Sequence, residues 1–408
     1  MNQISDLKIK VPEEVRAIMD TLTSAGYEAY CVGGCVRDSL LGRAPEDWDI
    51  TTSALPEQVK SLFSNTVDTG IQHGTVMIVI KGVGYEVTTY RIDGKYLDGR
   101  HPEQVTFTRS LEEDLKRRDF TINAFAYNDE SGIVDLFGGM DDLENQIVRA
   151  VGDPDARFTE DALRIMRAIR FAAQLDFEVE EETYAAIRRH ADNLTNVSME
   201  RIRVELEKTL MSQSCGRVNE FFQLGMGEYI VPGYADKCAS FDEEVAACLP
   251  KEREGDARRY LLLAILLKNL SDEEAKDALR AMKYDNKTKA AVAGILRYKD
   301  QILPAERIRI KQALNQMGEE IFFLTIDLKE AITRSSMAMV RNLAEEILAK
   351  GEPYAIPHLA VNGNDLIRAG IPEGTQLKEK LEALLDQVIR DPEKNTKEQL
   401  MEALRREL

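Results

Sequence analysis

At 408 residues with 44% hydrophobic side chains, the chain holds enough apolar material for two to four domains of about 100–200 residues. A formal net charge of −18 excludes a protein that coats nucleic acid nonspecifically, though it leaves room for a local basic strip. No run of about 18 apolar residues occurs and Met1–Lys10 is polar, so neither a transmembrane helix nor a signal peptide is expected; five cysteines without a regular framework fit a reducing cytoplasm.

Val11–Ala25 sets Val15, Ile18, Met19 and Leu22 at helical spacing between Pro12 and Gly26. Glu28–Val32 is short, apolar-rich and β-prone, and ends at Gly33-Gly34, where backbone N–H groups can approach a phosphate with no Cβ in the way. Val36–Leu41 reads as a helical turn stopped by Gly42, with Arg37 and Asp38 at its start. Asp47-Trp48-Asp49-Ile50-Thr51-Thr52 reads as a second strand, with Asp47 and Asp49 on one face and Trp48 and Ile50 toward the core. Two such carboxylates repel unless a cation lies between them, and Mg²⁺ prefers oxygen ligands shared between carboxylates and substrate phosphates. Alone, D-x-D is more often a solvated strand face. Beside an upstream G-G-C-V-R-D it points to a metal-bound nucleoside triphosphate and nucleotidyl transfer. Cys31 and Cys35 lack the second pair or nearby histidine that zinc would require.

Pro56–Phe63 is a short helix, and His73–Lys81 with Tyr85–Ile92 alternate as a hairpin around Gly82 and Gly84. Glu86 lies early in the second of these strands, either as a third carboxylate beside Asp47 and Asp49 or as a solvent-facing residue. Asp93–Val105 is glycine-rich, charged and aperiodic, a mobile loop. Leu111–Arg118 is helical and runs into Arg117-Arg118-Asp119-Phe120-Thr121-Ile122-Asn123-Ala124. There Arg118 could reach a triphosphate, and Asp119 and Asn123 suit ribose hydroxyls. The plainer alternative is a helix end decorated with arginines for its dipole. Ile133–Phe137 and Gly138-Gly139 close a first domain with an antiparallel-leaning sheet.

From about Gly152 strands disappear and helical spacing runs on. Phe158–Phe177 contains E-D-A-L-R-I-M-R-A-I-R-F, which puts Ala162, Ile165, Met166, Ile169 and Ala173 on one arc and Arg164, Arg167 and Arg170 opposite. Asp161 falls at the boundary, one turn from Arg164. An exposed, salt-bridged face is the plain alternative. Ser198–Glu205 reads as an N-capped helix. Further helices are expected over Arg258–Leu270, Asp272–Met282, Lys287–Ile302, Ala305–Met317 and Leu377–Arg390, with Asn362-Gly363-Asn364 and Pro372-Glu373-Gly374 as turns.

G-G-C-V-R-D followed by D-W-D-I resembles motif A of the polymerase-β-like nucleotidyltransferases, specifically the class II tRNA nucleotidyltransferases (CCA-adding enzymes) and bacterial poly(A) polymerases. Arg117–Ala124 matches the family's motif B, and E-D-x-x-R-x-x-R from Glu160 its base-selection motif. Ser198–Glu205 resembles the next motif, with Glu200 and Arg201 bracing a neck, and Asp93–Val105 resembles the loop that helps switch from cytidine to adenosine addition. Cys35 stands where relatives often carry alanine, a small departure. The resemblance implies an α+β fold: a nucleotidyltransferase head over 1–150, a helical neck over 151–212, a helical body over 213–320 and a tRNA-binding tail over 321–408.

It also implies template-independent addition of C, C and A to the 3′ end of tRNA from CTP and ATP. Asp47 and Asp49 would hold two Mg²⁺ ions, with Glu86 beside them. Gly34, Arg37 and Arg118 would contact the triphosphate, and Asp161, Arg164, Arg167 and Arg170 would form the nucleotide-binding face of the neck. A poly(A) polymerase shares these motifs, an enzyme adding only CC or only A differs in loop geometry, and a non-catalytic RNA-binding relative would be expected to lose a metal carboxylate. The intact loop and the absence of a long basic C-terminal extension weigh toward the CCA-adding class. No adjacent His-Asp pair marks an appended metal phosphohydrolase domain.

Overall fold

The computed structural model describes residues 8–94 and 105–406, in two compact units, Met1–Ala239 and Ser240–Leu408. Most of the loop expected over Asp93–Val105 therefore lies outside the described residues.

The first unit opens with α1 (Glu13–Ser24), which buries Val15, Ile18, Met19 and Leu22 as their spacing predicts. Pro12 precedes it, and Glu13 and Glu14 in its first turn favour the positive end of the helix dipole. Then come β1 (Ala29–Val32), α2 (Gly34–Leu40), β2 (Ile50–Thr52), α3 (Pro56–Leu62), β3 (Thr66–Gly70), β4 (Thr75–Ile80), β5 (Val83–Thr89), β6 (Arg91–Asp93), β7 (Val105–Phe107), α4 (Leu111–Lys116), β8 (Phe125–Asn128) and β9 (Gly132–Asp135). Seven strands form one sheet in the order β3-β4-β5-β2-β1-β8-β9, antiparallel except where β2 runs parallel to β5. The β4–β5 hairpin turns through Lys81 (φ 51°) and Gly82 (φ 83°), the left-handed pair that a two-residue turn between right-twisted strands requires. One sheet face packs Cys31, Ile50, Val76, Val87 and Phe125 against α1 and α3; the other gathers Val32, Leu115 and Ala126.

The second strand begins at Ile50, not at Asp47. Register pairs Cys31 with Ile50, which leaves Trp48 opposite Gly33. Gly33 has already left the sheet for α2, so Asp47 and Trp48 have no strand to pair with. Asp49 is the last residue tied in, its carbonyl accepting the Val32 N–H at 3.0 Å.

After β9 the chain forms α5 (Gly139–Glu144), β10 (Ile147–Val148), α6 (Pro154–Glu160), α7 (Leu163–Leu175), β11 (Glu178–Val179), α8 (Glu181–His190) and α9 (Met199–Leu210). Two expectations are corrected here. Strands do not vanish at Gly152, because β11 pairs in parallel with β10. Nor is Phe158–Phe177 one helix: it breaks at Asp161 (φ −138°, ψ 104°), whose carboxylate accepts the Leu163 N–H at 3.0 Å. A short acidic side chain bonding the backbone two residues on competes with helix continuation. The arginine side of α7 is not a solvated face either, since Arg164 and Arg170 are buried. Ser198 stands at the N-cap of α9 without its hydroxyl capping the helix, and Glu200 is exposed.

The second unit is helical: Gly255–Leu266, Asp272–Ala281, Asn286–Tyr298, Arg307–Met317, Glu319–Thr333, Ala338–Ala349, Gly363–Arg368, Thr375–Arg390 and Lys397–Arg406. Leu314, Phe322, Ile326, Ala344 and Ile347 form one core; Leu366, Leu384, Leu385, Val388, Leu400 and Leu404 form another. Asn362-Gly363-Asn364 is not a free turn. Asn362 caps the helix that follows, in a reciprocal capping box with Asp365.

Gly139 opens α5 against the motif B segment, and a Cβ there would lie 2.5 Å from the Thr121 carbonyl oxygen and 2.8 Å from the Phe125 ring. Gly139→Ala should lower head stability by about 1–3 kcal/mol. Thermal and denaturant melts check this; a wild-type transition would show that the segment yields without strain.

Candidate active site

A cavity of about 530 Å³ opens between the β1–α2–β2 segment on one side and α7 with the end of α9 on the other. Gly34, Arg37, Asp47, Asp49 and Arg170 line it, together with Phe171, Gln174, Lys208, Ser212 and Gln213, which the motifs did not mark. The wall begins at Gly33, whose φ of 79° lies in the left-handed region and whose added Cβ would sit 3.0 Å from Arg118 Nη1. The positive φ favours glycine, and the chain turns there from β1 into α2 close over the Arg118 side chain.

Arg37, one turn into α2, is buried. Its Nε and Nη2 donate to Asp38 at 2.9 and 3.0 Å, and its Nη1 donates to Asn123 Oδ1 at 2.5 Å. Arg118 Nη2 lies 3.6 Å from Asp114 Oδ2. Burial draws the Arg118 guanidinium below its ordinary range, while Asp114 and then Asp49 oppose that shift. Asp114 is a residue the motifs missed. Wholly buried, it accepts from Thr51 Oγ1 at 3.0 Å and from Arg117 Nε and Nη2 at 3.0 and 2.8 Å. Its spacing of four from Arg118 on a helix was the available signal.

Neighbouring acids act on Asp49 and Glu86. Loss of water raises the Asp49 carboxyl above the usual range, Asp47 adds to the rise and Arg118 opposes it. Glu86 is exposed on β5, the solvent-facing alternative, yet partial loss of water, then Asp49 and Asp47, raises its carboxyl. The parallel register that pairs Ile50 with Val87 sets Asp49 next to Glu86. Among the described residues no three His, Cys, Asp or Glu side chains converge enough to hold a metal by themselves. An all-oxygen set that repels itself suits a hard cation completed by phosphate and water. Cys31 and Cys35 take no part: Cys35 Sγ donates to the Val32 carbonyl at 3.4 Å, and burial, with Asp49 nearby, pushes its thiol up to about 11.

The neck residues hold protein partners. Asp161 accepts from Arg201 Nη2 at 2.8 Å. Arg164 donates to Glu160 Oε2 at 2.6 Å and to the Arg117 carbonyl at 2.8 Å. Arg167 grips Asp119 Oδ2 through Nε and Nη2 at 2.8 and 2.6 Å. Arg170 pairs with Glu205 at 2.5 Å and stacks 3.9 Å from the Phe171 ring centroid. Asp119 also accepts on Oδ1 from the Phe120 N–H and from Asn123 Nδ2, at 2.9 and 3.1 Å. An ionised carboxylate offers about four acceptor positions, so in this arrangement Asp119 has none left for a ribose hydroxyl. The structure thus gathers Gly34, Arg37, Asp47, Asp49 and Arg170 around one cavity, leaves Arg118 and the exposed Glu86 out of its lining, and turns Asp161, Arg164 and Arg167 toward neighbouring side chains.

Three family models match the chain: the poly A polymerase head domain over residues 29–149, the RNA and SrmB binding site of polymerase A over 176–238, and tRNA nucleotidyltransferase domain 2 over 254–404. A CCA-adding enzyme of Levilactobacillus brevis is 40% identical, over 97% of this chain and 98% of that one. One from Lactobacillus helveticus is 41% identical over 91% of each. Among solved structures, the Bacillus stearothermophilus CCA-adding enzyme in complex with CTP matches with a TM-score of 0.82 and 36% identity, over 97% of this chain and 98% of that one.

Burial raises the Asp119 carboxyl, but Arg167, Asn123 and Arg164 together hold it well below the usual carboxylate range. A depressed carboxylate contributes stability above its unfolded pKa of about 3.9 and loses it as pH falls through the lower folded value. Asp119→Asn should therefore flatten the acid limb of melting temperature against pH below about 4. An unchanged acid limb would mean that the Arg167–Asp119 pair contributes nothing there.

Proposed function

We propose that this chain, which belongs to the class II CCA-adding enzymes, performs its nucleotidyl transfer on Asp47 and Asp49. The enzyme adds C, C and A to the 3′ end of tRNA from CTP and ATP without a nucleic-acid template, releasing pyrophosphate. The poly(A) polymerase alternative gives way to near-full-length relatives that are CCA-adding enzymes.

The observation that carries the site assignment is the set Gly34, Arg37, Asp47, Asp49 and Arg170 around a single cavity. Mg²⁺ held by Asp47 and Asp49, with Glu86 as an adjoining carboxylate, would activate the RNA 3′-hydroxyl and stabilise the leaving pyrophosphate. Gly34 leaves its backbone open to the triphosphate, Arg37 and Arg118 supply fixed positive charge, and Arg170 faces the cavity from the neck. Asp161 and Arg164 read the base. Cytosine and adenine both present an amino donor beside a ring-nitrogen acceptor, whereas uracil and guanine present a carbonyl beside an N–H. A carboxylate only accepts and a guanidinium only donates, so the pair matches C and A and opposes U and G. To do so, Asp161 exchanges its bond from Arg201, and Arg164 its bond to Glu160.

The tRNA is held through phosphate contacts on the helical tail, and binding weakens with salt. Among the described residues no helix is long and apolar enough to cross a membrane, and five cysteines with no disulfide among them fit work in the cytoplasm. Incubating the protein with tRNA lacking its CCA end and with each nucleotide separately, then reading product length, tests the whole reading. Products that stop at CC, or that start only from CC, would replace it with a partial activity.

Asp47→Ala and Asp49→Ala should each lower nucleotide addition by at least about 100-fold, the upper end of what losing even a supporting partner of a metal ligand costs, while tRNA binding persists. Wild-type turnover in both variants would remove the metal assignment. Asp161→Ala and Arg164→Ala should each lower discrimination against UTP and GTP by about 1–3 kcal/mol with Mg²⁺ dependence unchanged. Unaltered base selection with lowered stability would reduce the pair to structural ion pairs.

A further inference from the structure

Arg37 and the neck helix are joined by side chains whose hydrogen-bonding capacities interlock. Arg37 only donates and Asp119 only accepts. Asn123 stands between them, its Oδ1 taking Arg37 Nη1 at 2.5 Å and its Nδ2 donating to Asp119 at 3.1 Å. A rigid group with an acceptor on one side and a donor on the other is what such a bridge needs, and the partners dictate which way the amide points. Asp119 then receives Arg167 from α7 through two nitrogens on one oxygen. Arg37, Asn123 and Asp119 are all buried, so little water competes for these bonds. A second tie runs parallel to the first. Phe171, also on α7, lies 5.0 Å from the Arg37 guanidinium and meets the head's Phe120 edge-on at 5.8 Å.

We propose that Asn123 and Arg167 are positioning residues that set the Arg37 guanidinium in register with α7, so that the phosphate contact takes its alignment from the helix that carries Arg164. The proposal rests on Arg37 touching the triphosphate. A nucleotide can then bind through its phosphates wherever α7 lies, but it reacts only when α7 holds Arg37 in line. Cutting the chain loses turnover rather than affinity. Misplacing a positioning group by about 1 Å is enough for a 100-fold loss.

The test is steady-state CTP addition to tRNA lacking its CCA end, with Mg²⁺, for Asn123→Ala, Arg167→Lys and the double variant, each with a thermal melt. Each single variant should lower kcat by about tenfold or more with KM for CTP within about threefold, the pattern of an interaction made only in the transition state. The double variant should fall no further than the worse single one, because a chain is broken only once. Losses that multiply, a raised KM with unchanged kcat, or wild-type kinetics would each overturn the proposal. Arg167→Lys keeps its charge on a partly exposed side chain, so it decides the matter if Asn123→Ala melts below the assay temperature. Arg37→Ala separates the two layers. Wild-type kcat and KM in that variant would remove the triphosphate contact and the proposal together. An impaired Arg37→Ala beside unaffected Asn123 and Arg167 variants would remove the chain alone.

Discussion

The head depends on keeping like charges together. Asp49 and Glu86 are neighbours because β2 runs parallel to β5, the one parallel pairing in an otherwise antiparallel sheet. Both carboxyls are raised, each by loss of water and by the other acids around it. Repulsion of this kind would open a flexible loop. It persists here because Ile50, Val87 and Val76 lie in the core beneath α1 and α3, so parting the acids means parting the sheet. Hydrophobic burial thus holds an electrostatically unfavourable arrangement together, and on the proposed function that arrangement is what a cation would relieve.

The arginines show the opposite bargain. Arg37, Arg164 and Arg170 are buried in a chain of net charge −18, and each is matched to acceptors nearby. Arg170 has Glu205, Arg164 has Glu160 and a backbone carbonyl, and Arg37 has Asp38 and Asn123. Removing one member of a buried pair typically costs about 3–5 kcal/mol, because its partner is left charged and desolvated. Activity lost on mutating any of these residues therefore mixes chemistry with packing. Melts and kinetics have to be read together in this head and neck.

Much of the head was legible because its signals are local. Gly33 after β1, the hairpin at Gly82 (though Gly84, also expected in its turn, lies inside β5) and the 3.6-residue spacing of α1 each need only a few neighbouring residues to be understood. What was not legible depended on distant partners. The strand reading from Asp47 failed because Gly33 and Gly34, opposite Trp48 and Asp47 in register, had turned away into α2. β3 is largely exposed and shows no alternation, and β11 is only two residues long. Periodicity separated the apolar and basic sides of α7 correctly, but it could not say that the basic side is also covered, since Asp119 and Glu205 lie far off in sequence. Asp114 was hidden for the same reason: its burial comes partly from Thr51, 63 residues earlier.

The break at Asp161 is the instructive failure. On one continuous helix, Asp161 and Arg164 would sit a turn apart, the spacing at which a carboxylate and a guanidinium pair with each other. A base reader built that way would quench itself, its acceptor and donor each filled by the other. Asp161 instead leaves the helix and is held by Arg201 of α9, while Arg164 is held by Glu160 and the Arg117 carbonyl. On the reading proposed above, each group meets the incoming base by exchanging one charged partner for a matching polar edge. Neither has to break an ion pair with the other first. Asp161 also gives the Leu163 N–H, at the start of α7, its acceptor. The local choice that interrupts the helix is therefore also what would keep the two proposed reading groups separately available.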